Sequence, residues 1–414
     1  MRNALTDAPW LRAVARVFDR VGAPLYIVGG AVRNPLMGLP ISDIDVCGPT
    51  LPEEICAFCE GTQVRTVLRA AQFGTVELHV TDENGRPQMA EYTAWREDCY
   101  ESGHRPDRVT FTRDIAVDAR RRDFSVNALY QQVHADGLGP VIDPTGGLEH
   151  LSAGQMHTVT ENPDLVLGND GHRILRGARF QAELDLTFDE NHIASMRRHA
   201  HLVGDIAPER IRDEVEKTLM ADFRYPTLRR RFPAAESGLK TLHAAGVWET
   251  LFAPVAYDEA AVCALKRLTL PSLPVRMALV CRSASIKDAQ AMMQRLHFPS
   301  KETAQMAACL QAMQPQPSLL AYAKLGMETL LNAQAILRAV EDEPGLARLD
   351  EALCALRGKP LSLKELAVNG ADLKPLFEKQ GRPMKEMSGV LEGLWQDVLE
   401  GKAENAKDAL LKRV

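Results

Sequence analysis

Two aspartates one residue apart, Asp43 and Asp45, lie in a stretch that otherwise reads as buried strand and tight turn. Extended backbone has a period of two, so the pair projects to one face, about 7 Å apart along the strand. Two carboxylates so placed repel in a site of low dielectric, and a divalent cation between them removes that penalty. Just upstream, Leu25-Tyr-Ile-Val-Gly-Gly-Ala-Val-Arg-Asn34 joins an apolar strand to a Gly-Gly turn and a short helix. Gly29 and Gly30 have no side chains, so backbone N–H groups there can approach a phosphate closely. Arg33 adds a cation. The set suits a divalent metal with a nucleoside triphosphate. It also suits a plain strand–turn–strand with surface aspartates, and this stretch alone does not decide between the two.

Three further groups could carry chemistry. In Arg120-Arg-Arg-Asp-Phe-Ser-Val-Asn-Ala-Leu129, three arginines precede Asp123. Guanidinium pairs with phosphate in a bidentate way, which fits triphosphate and ribose recognition; a solvated charge run is the alternative. In Asp170-Gly-His-Arg-Ile-Leu-Arg-Gly-Ala-Arg-Phe180, Asp170 and Arg173 are three apart and share a helical face, with Arg176 and Arg179 continuing the row. An aspartate beside an arginine can read a base edge, discriminating by about 1–3 kcal/mol. An intrahelical ion pair, about 0.3–0.5 kcal/mol, explains the spacing equally simply and is the reading that spacing alone favours. Glu91, on a strand-like segment, is either a third acidic group near a metal or a solvent-facing glutamate. Arg224-Tyr-Pro-Thr-Leu-Arg-Arg-Arg-Phe232 could touch an RNA backbone or be a solvated linker.

The elements that must hold these residues are mixed at first and helical later. Apolar residues at 10, 11, 14, 17, 18 and 21 make a helical stripe. Leu51 to Ala71 reads as helix. Thr75–Val80 and Met89–Trp95 read as a hairpin around a turn containing Asn84-Gly85. Arg96 to Asp107 is polar and reads as an exposed mobile loop, Arg108–Arg113 as strand, and Asp143-Pro-Thr-Gly-Gly-Leu-Glu-His150 as a closing turn. From about residue 150 strand signals nearly vanish. A chain of 414 residues is too long for one core and suggests about two to four domains. Hydrophobic content of 45% and charged content of 25% fit a soluble globular protein. No apolar run is long enough for a membrane helix, and no signal peptide is evident, so a cytoplasmic chain is expected. The net charge of −6 argues against a general nucleic-acid coat but permits a local basic groove. The eight cysteines are scattered apart from Cys56 and Cys59, which lack zinc-spaced partners and read as ordinary thiols.

Together these motifs, with Glu209-Arg-Ile-Arg-Asp213, are similar in order and spacing to the bacterial (class II) CCA-adding enzymes. Those are tRNA nucleotidyltransferases of the polymerase-β-like superfamily, and bacterial poly(A) polymerases share the pattern. The resemblance spans essentially the whole chain, including Leu366-Ala-Val-Asn-Gly370 and residues 405–411. It implies an α+β architecture: a polymerase-β-like nucleotidyltransferase head with a mixed sheet over 1–145, then an all-α neck (146–222) that selects nucleotide, a body (223–335) and a tail (336–414) that grips the tRNA elbow by shape.

The resemblance also implies roles. Asp43 and Asp45 would hold two Mg²⁺ ions for in-line transfer to the RNA 3′-hydroxyl. Gly29 and Gly30 would cradle phosphate with Arg33. Arg122, Asp123 and Asn127 would hold triphosphate and ribose, the 2′-hydroxyl separating NTP from dNTP. Asp170 and Arg173 would act as a protein template reading CTP and then ATP, completed by Arg176 and Arg179. The 96–107 loop corresponds to a segment that supports the switch to adding A. The chain departs from the pattern at Asn34, where aspartate is usual, at Asn169, where glutamate is usual, and at Ala207 in place of a capping serine. Phosphatase activity is not expected, because no His-Asp phosphohydrolase domain follows. The rival expectations are a poly(A) polymerase or A-only adder, and an inactive RNA-binding relative.

Overall fold

A computed structural model describes residues 3–100 and 108–414. The chain divides into two compact units, Met1–Leu251 and Phe252–Val414.

The first unit is built on a seven-stranded sheet in the order β3-β4-β5-β2-β1-β8-β9. The strands are β1 (Leu25–Val28), β2 (Asp45–Gly48), β3 (Arg65–Ala70), β4 (Thr75–Thr81), β5 (Pro87–Ala94), β8 (Tyr130–Val133) and β9 (Leu138–Ile142). A separate ribbon pairs β6 (Arg96–Cys99) with β7 (Arg108–Phe111). Every pairing is antiparallel except β2 with β5. The helix Leu11–Arg20 lays Leu11, Val14 and Phe18 against Val76, Leu78 and Tyr92 in one continuous core. Full burial of one such side chain contributes about 1.5–3 kcal/mol. Because strand side chains alternate, burying Val76, Leu78, Ala90 and Tyr92 turns Glu77 and Glu91 to the other face. That alternation fixes the register that sets Asp45 beside Glu91 and Glu91 beside Glu77.

Three expectations from the sequence need correction. Leu51–Ala71 is not one helix: it ends at Cys59, Gly61 turns at φ +71°, and Arg65–Ala70 is the edge strand β3. Arg96–Cys99 is strand rather than loop, and two of its three charged side chains are inturned and paired, Arg96 Nε to Asp98 at 2.8 Å. The remainder of the expected mobile loop, residues 101–107, lies outside the described residues. Asp43 precedes β2, which begins only at Asp45.

After the sheet the unit is helical. The central helix His172–Leu184 packs against Pro208–Leu219 and Ala234–Ala244. Pro208 occupies the first turn, where its missing N–H costs nothing. Ala207 offers no capping side chain there. The second unit, among the described residues, holds helices and no strand. Its core gathers Leu330, Leu337, Leu349, Phe377, Trp395 and Leu399. The Leu366–Gly370 stretch owes its shape to two asparagines. Asn369 caps the helix Gly370–Gln380, and Asn405 bonds both the Ala367 N–H and the Glu365 carbonyl.

Candidate active site

A cavity of about 710 Å³ opens in the first unit where four separated segments meet: the Gly29–Asn34 turn, the entry to β2, residues 122–127, and helical residues from 176 to 225. Ten of the twelve residues singled out in the sequence line it: Gly29, Gly30, Arg33, Asp43, Asp45, Arg122, Asp123, Asn127, Arg176 and Arg179. Gly29 adopts φ +65°, which only glycine takes readily. Its N–H is tied to Leu129 O, so the turn sits directly on the 122–127 segment. That segment is propped from behind by the Asp143–Gly147 turn, where a Cβ on Gly147 would lie 2.3 Å from Ser125 O. Asp143 holds the turn by accepting the N–H groups of Gly147 and Leu148.

The acidic side of the cavity is sparsely held. Asp43 is exposed, and one oxygen accepts the Ser42 hydroxyl at 3.1 Å. Asp45 lines the cavity. Burial among the strand ends raises its carboxyl above the ordinary range; Arg122 opposes that shift and Asp43 adds to it. Glu91 is raised as well, first by burial and then by Asp45. These are carboxylates short of compensating charge, and hard oxygen donors suit a Mg²⁺-like cation. Asp43, Asp45 and Glu91 do not converge to the spacing of a closed three-ligand site. Among the described residues that spacing belongs to His157, Asp189 and His192, whose ligand atoms lie within 4.8 Å of one another and could hold a metal ion. Hydrogen bonds already engage that histidine: Thr158 N–H donates to His192 Nε2, which assigns the ring proton to Nδ1, where it donates to Asp189.

The basic side, by contrast, is locked. Arg33 donates Nη2 and Nε to Asn34 Oδ1 at 2.8 and 3.2 Å, and Nη1 to Asn127 Oδ1. Burial pushes its pKa down to about 10. Asp123 accepts Arg176 Nε at 2.7 Å, its neighbour Phe124 N–H at 2.7 Å, and Asn127 Nδ2 at 3.3 Å. Burial works to raise that carboxyl, but Arg176 and the backbone N–H outweigh it and hold it well below the ordinary range. Arg122 is fixed by Asp118 and the Tyr130 hydroxyl, and Tyr130 itself donates to Asp118 at 2.7 Å. Arg179 donates to Glu214 at 2.5 Å and Glu183 at 3.0 Å. The Phe180 ring gathers three guanidinium groups, Arg33 at 5.3 Å, Arg176 at 5.1 Å and Arg179 at 4.0 Å from its centroid. Each such contact is worth about 0.5–2 kcal/mol, which offsets part of the mutual repulsion.

Asp170 and Arg173 are not among the cavity's lining residues. The helix begins at His172, so Asp170 stands two residues ahead of it, and its carboxylate accepts the His172 N–H at 2.9 Å. Arg173 is buried, with Nη1 on Val166 O and Nη2 on Arg121 O and the Tyr100 hydroxyl. Asn169 donates to Leu165 O. Sequence reasoning missed Ser42, Phe180, Glu183, Lys217 and Tyr225 as cavity residues. Lys217 and Glu214 sit on the helix Pro208–Leu219. Their signal was weak: charged residues recurring on the inner face of an amphipathic helix.

A deep mixed sheet, paired aspartates at a strand entry and a wall of oriented arginines define the class, a nucleotidyltransferase. Family models agree along the chain. The Poly A polymerase head domain matches residues 25–157, the probable RNA- and SrmB-binding site of polymerase A residues 185–230, and the putative tRNA nucleotidyltransferase domain 2 residues 275–414. The chain is 30% identical over 411 residues to the CCA-adding enzyme of Geobacillus thermodenitrificans, covering 96% of this chain and 94% of that one. It is 29% identical over 413 residues to that of Enterococcus faecalis, covering 96% and 93%. The Bacillus stearothermophilus CCA-adding enzyme solved with CTP superposes with a TM-score of 0.75 at 26% identity, over 100% of this chain and 98% of the other. A Thermotoga maritima CCA-adding enzyme complexed with tRNA shares the fold, with a TM-score of 0.67 at 17% identity, over 97% and 93%. The chain belongs to the family of CCA-adding enzymes, tRNA nucleotidyltransferases acting on RNA 3′ ends. No described helix is long and apolar enough to cross a membrane.

Proposed function

We propose that the chain adds CCA to tRNA 3′ ends from CTP and ATP, without a nucleic-acid template, by in-line nucleotidyl transfer with release of pyrophosphate. The observation that carries this is the meeting of Asp43 and Asp45 with Arg33, Arg122, Asp123, Asn127 and Arg176 in one cavity, in a chain related to CCA-adding enzymes over nearly its whole length.

In this reading Asp43 and Asp45 hold Mg²⁺. The metal, when bound, supplies Lewis-acid activation of the attacking 3′-hydroxyl and neutralisation of the triphosphate. Arg33, Arg122 and the Gly29–Gly30 backbone receive the phosphates. Asp123 accepts from the ribose hydroxyls while Asn127 keeps it oriented. Arg176 and Arg179 bound the base side of the pocket. Asp170 and Arg173 read the Watson–Crick edge, for which Arg173 exchanges its bonds to Val166 O and Arg121 O for the base. The division into head 1–145, neck 146–222, body 223–335 and tail 336–414, with the tail on the tRNA elbow, belongs to the same reading, as does a cytoplasmic location.

Purified protein incubated with tRNA lacking its 3′ end, CTP, ATP and Mg²⁺ is expected to lengthen the tRNA by three nucleotides, and chelation of the metal to stop it. Failure to extend the tRNA overturns the proposal. The matches to poly(A) polymerase models favour one second reading, a polymerase using ATP alone. Long products from ATP without CTP would establish it.

A further inference from the structure

The hydrogen bonds that lock the basic side end at Tyr225, a residue without a part in the reaction described above. The short helix Ala221–Arg224 stops there because Pro226 disfavours helical backbone at the preceding residue, and Tyr225 takes φ −130°, ψ 80°. Its ring turns inward beside Leu39, Phe124 and Phe180 and is only 4% exposed. The hydroxyl accepts Asn34 Nδ2 at 3.0 Å, and the same amide nitrogen donates to Pro40 O at 2.9 Å. Both amide hydrogens are therefore committed, which fixes the amide's orientation and turns Oδ1 toward Arg33. There Oδ1 accepts the Nε and Nη2 hydrogens of Arg33.

We propose that Tyr225 is a positioning residue for nucleotide binding: through Asn34 it fixes the Arg33 guanidinium in the cavity, and its neighbour Arg224 acts likewise, more weakly, on Asp43 through Ser42. This rests on the assignment of Arg33 to phosphate and of Asp43 to metal. An arginine side chain loses much rotamer freedom on engaging a ligand, and one already oriented loses less. The second arm has the correct polarity throughout. Arg224 Nη2 donates to Ser42 Oγ at 2.8 Å, and the single Ser42 proton donates to Asp43. It is exposed to solvent, so its effect is the smaller one.

The test uses the full chain carrying Tyr225→Phe, Asn34→Ala, both together, or Arg224→Gln. CTP and ATP affinities are measured by calorimetry with Mg²⁺, and kcat and KM on tRNA lacking its 3′ end. Tyr225→Phe is expected to weaken CTP and ATP about tenfold and equally, in Kd and KM alike, with kcat within about twofold, a contribution in the range of one buried hydrogen bond. In the Asn34→Ala background it should add nothing, since the path is already cut. Arg224→Gln should leave nucleotide affinity in place and raise by about twofold to threefold the metal concentration for half-saturation, read as Mn²⁺ binding by electron paramagnetic resonance. Unchanged nucleotide affinity in Tyr225→Phe overturns the proposal. So does a loss for one base only, or additive losses in the double variant. Should Tyr225→Phe not fold, wild-type affinity in Asn34→Ala overturns it equally. If the wild type itself fails to extend tRNA, the functional reading falls, while the calorimetry still decides the role of Tyr225.

Discussion

The two sides of the cavity are built on opposite plans. The arginines opposite the sheet are each held by two or more partners: Arg122 by Asp118 and Tyr130, Arg179 by Glu183 and Glu214, Arg33 by Asn34 and Asn127. Among the described residues, a serine hydroxyl is the one hydrogen-bond partner that the aspartate carboxylates at the strand entry have, and the Asp45 carboxyl is raised rather than lowered. The basic side is finished before any ligand arrives. The acidic side is left incomplete and gains its missing charge balance only from what binds. Preorganised cations lower the ordering penalty for a flexible triphosphate. Uncompensated carboxylates keep the affinity for a cation that paired ones would have spent on each other.

The sharpest way to break this contrast is Asp45→Asn. Activity should fall by about a thousandfold or more, since a metal contributes several kcal/mol of charge stabilisation. The metal-free protein should nonetheless melt no lower, and slightly higher, by calorimetry, because a carboxylate with a raised pKa is itself a source of repulsion. Arg179→Ala should behave in the reverse manner. It strands Glu183 and Glu214, both buried, at a cost of about 3–5 kcal/mol, seen as a drop in urea midpoint. Next comes acid. Asp118 and Asp123 have lowered pKa values, so the stability they contribute is present above the ordinary carboxylate pKa of about 4 and is lost as pH falls below it. Urea midpoints measured down the acid range should show that loss, and Asp123→Asn should flatten it. A smaller effect is expected of Asn34→Asp. A carboxylate cannot donate to Pro40 O and would neutralise Arg33, so KM should rise several-fold for CTP and ATP together in the extension assay.

What the sequence disclosed follows the same divide. Gly29, Gly30, Arg33, Asp43, Asp45, Arg122, Asp123 and Asn127 were legible because each lies in a short run whose local geometry brings its members to one place, and all eight line the cavity. Their supports were not legible. Glu214 meets Arg179 across 35 residues and Tyr225 meets Asn34 across 191, and no periodicity encodes such meetings. Strand β6 was hidden for a related reason: Arg96 and Asp98 satisfy each other inside, so apolar alternation never appears. Asp170 lies two residues ahead of the first helical residue, His172. Spacing of three implies a shared face only inside a helix, and here the aspartate stands just ahead of the helix and accepts the His172 N–H.

The cavity is assembled from residues 29–45, 122–127, 176–183 and 217–225. A chain emerging from the ribosome therefore has both aspartates outside the exit tunnel long before it has the arginines of the opposite wall, and the last side chain to arrive is Tyr225. Domains fold largely as units during synthesis, so a nascent chain halted between Asp45 and Arg122 carries both aspartates without Arg122, Asp123, Asn127, Arg176 or Arg179. An enzyme that works on tRNA, and whose own synthesis draws on aminoacyl-tRNA, thus completes its substrate pocket only after more than half of its translation is done.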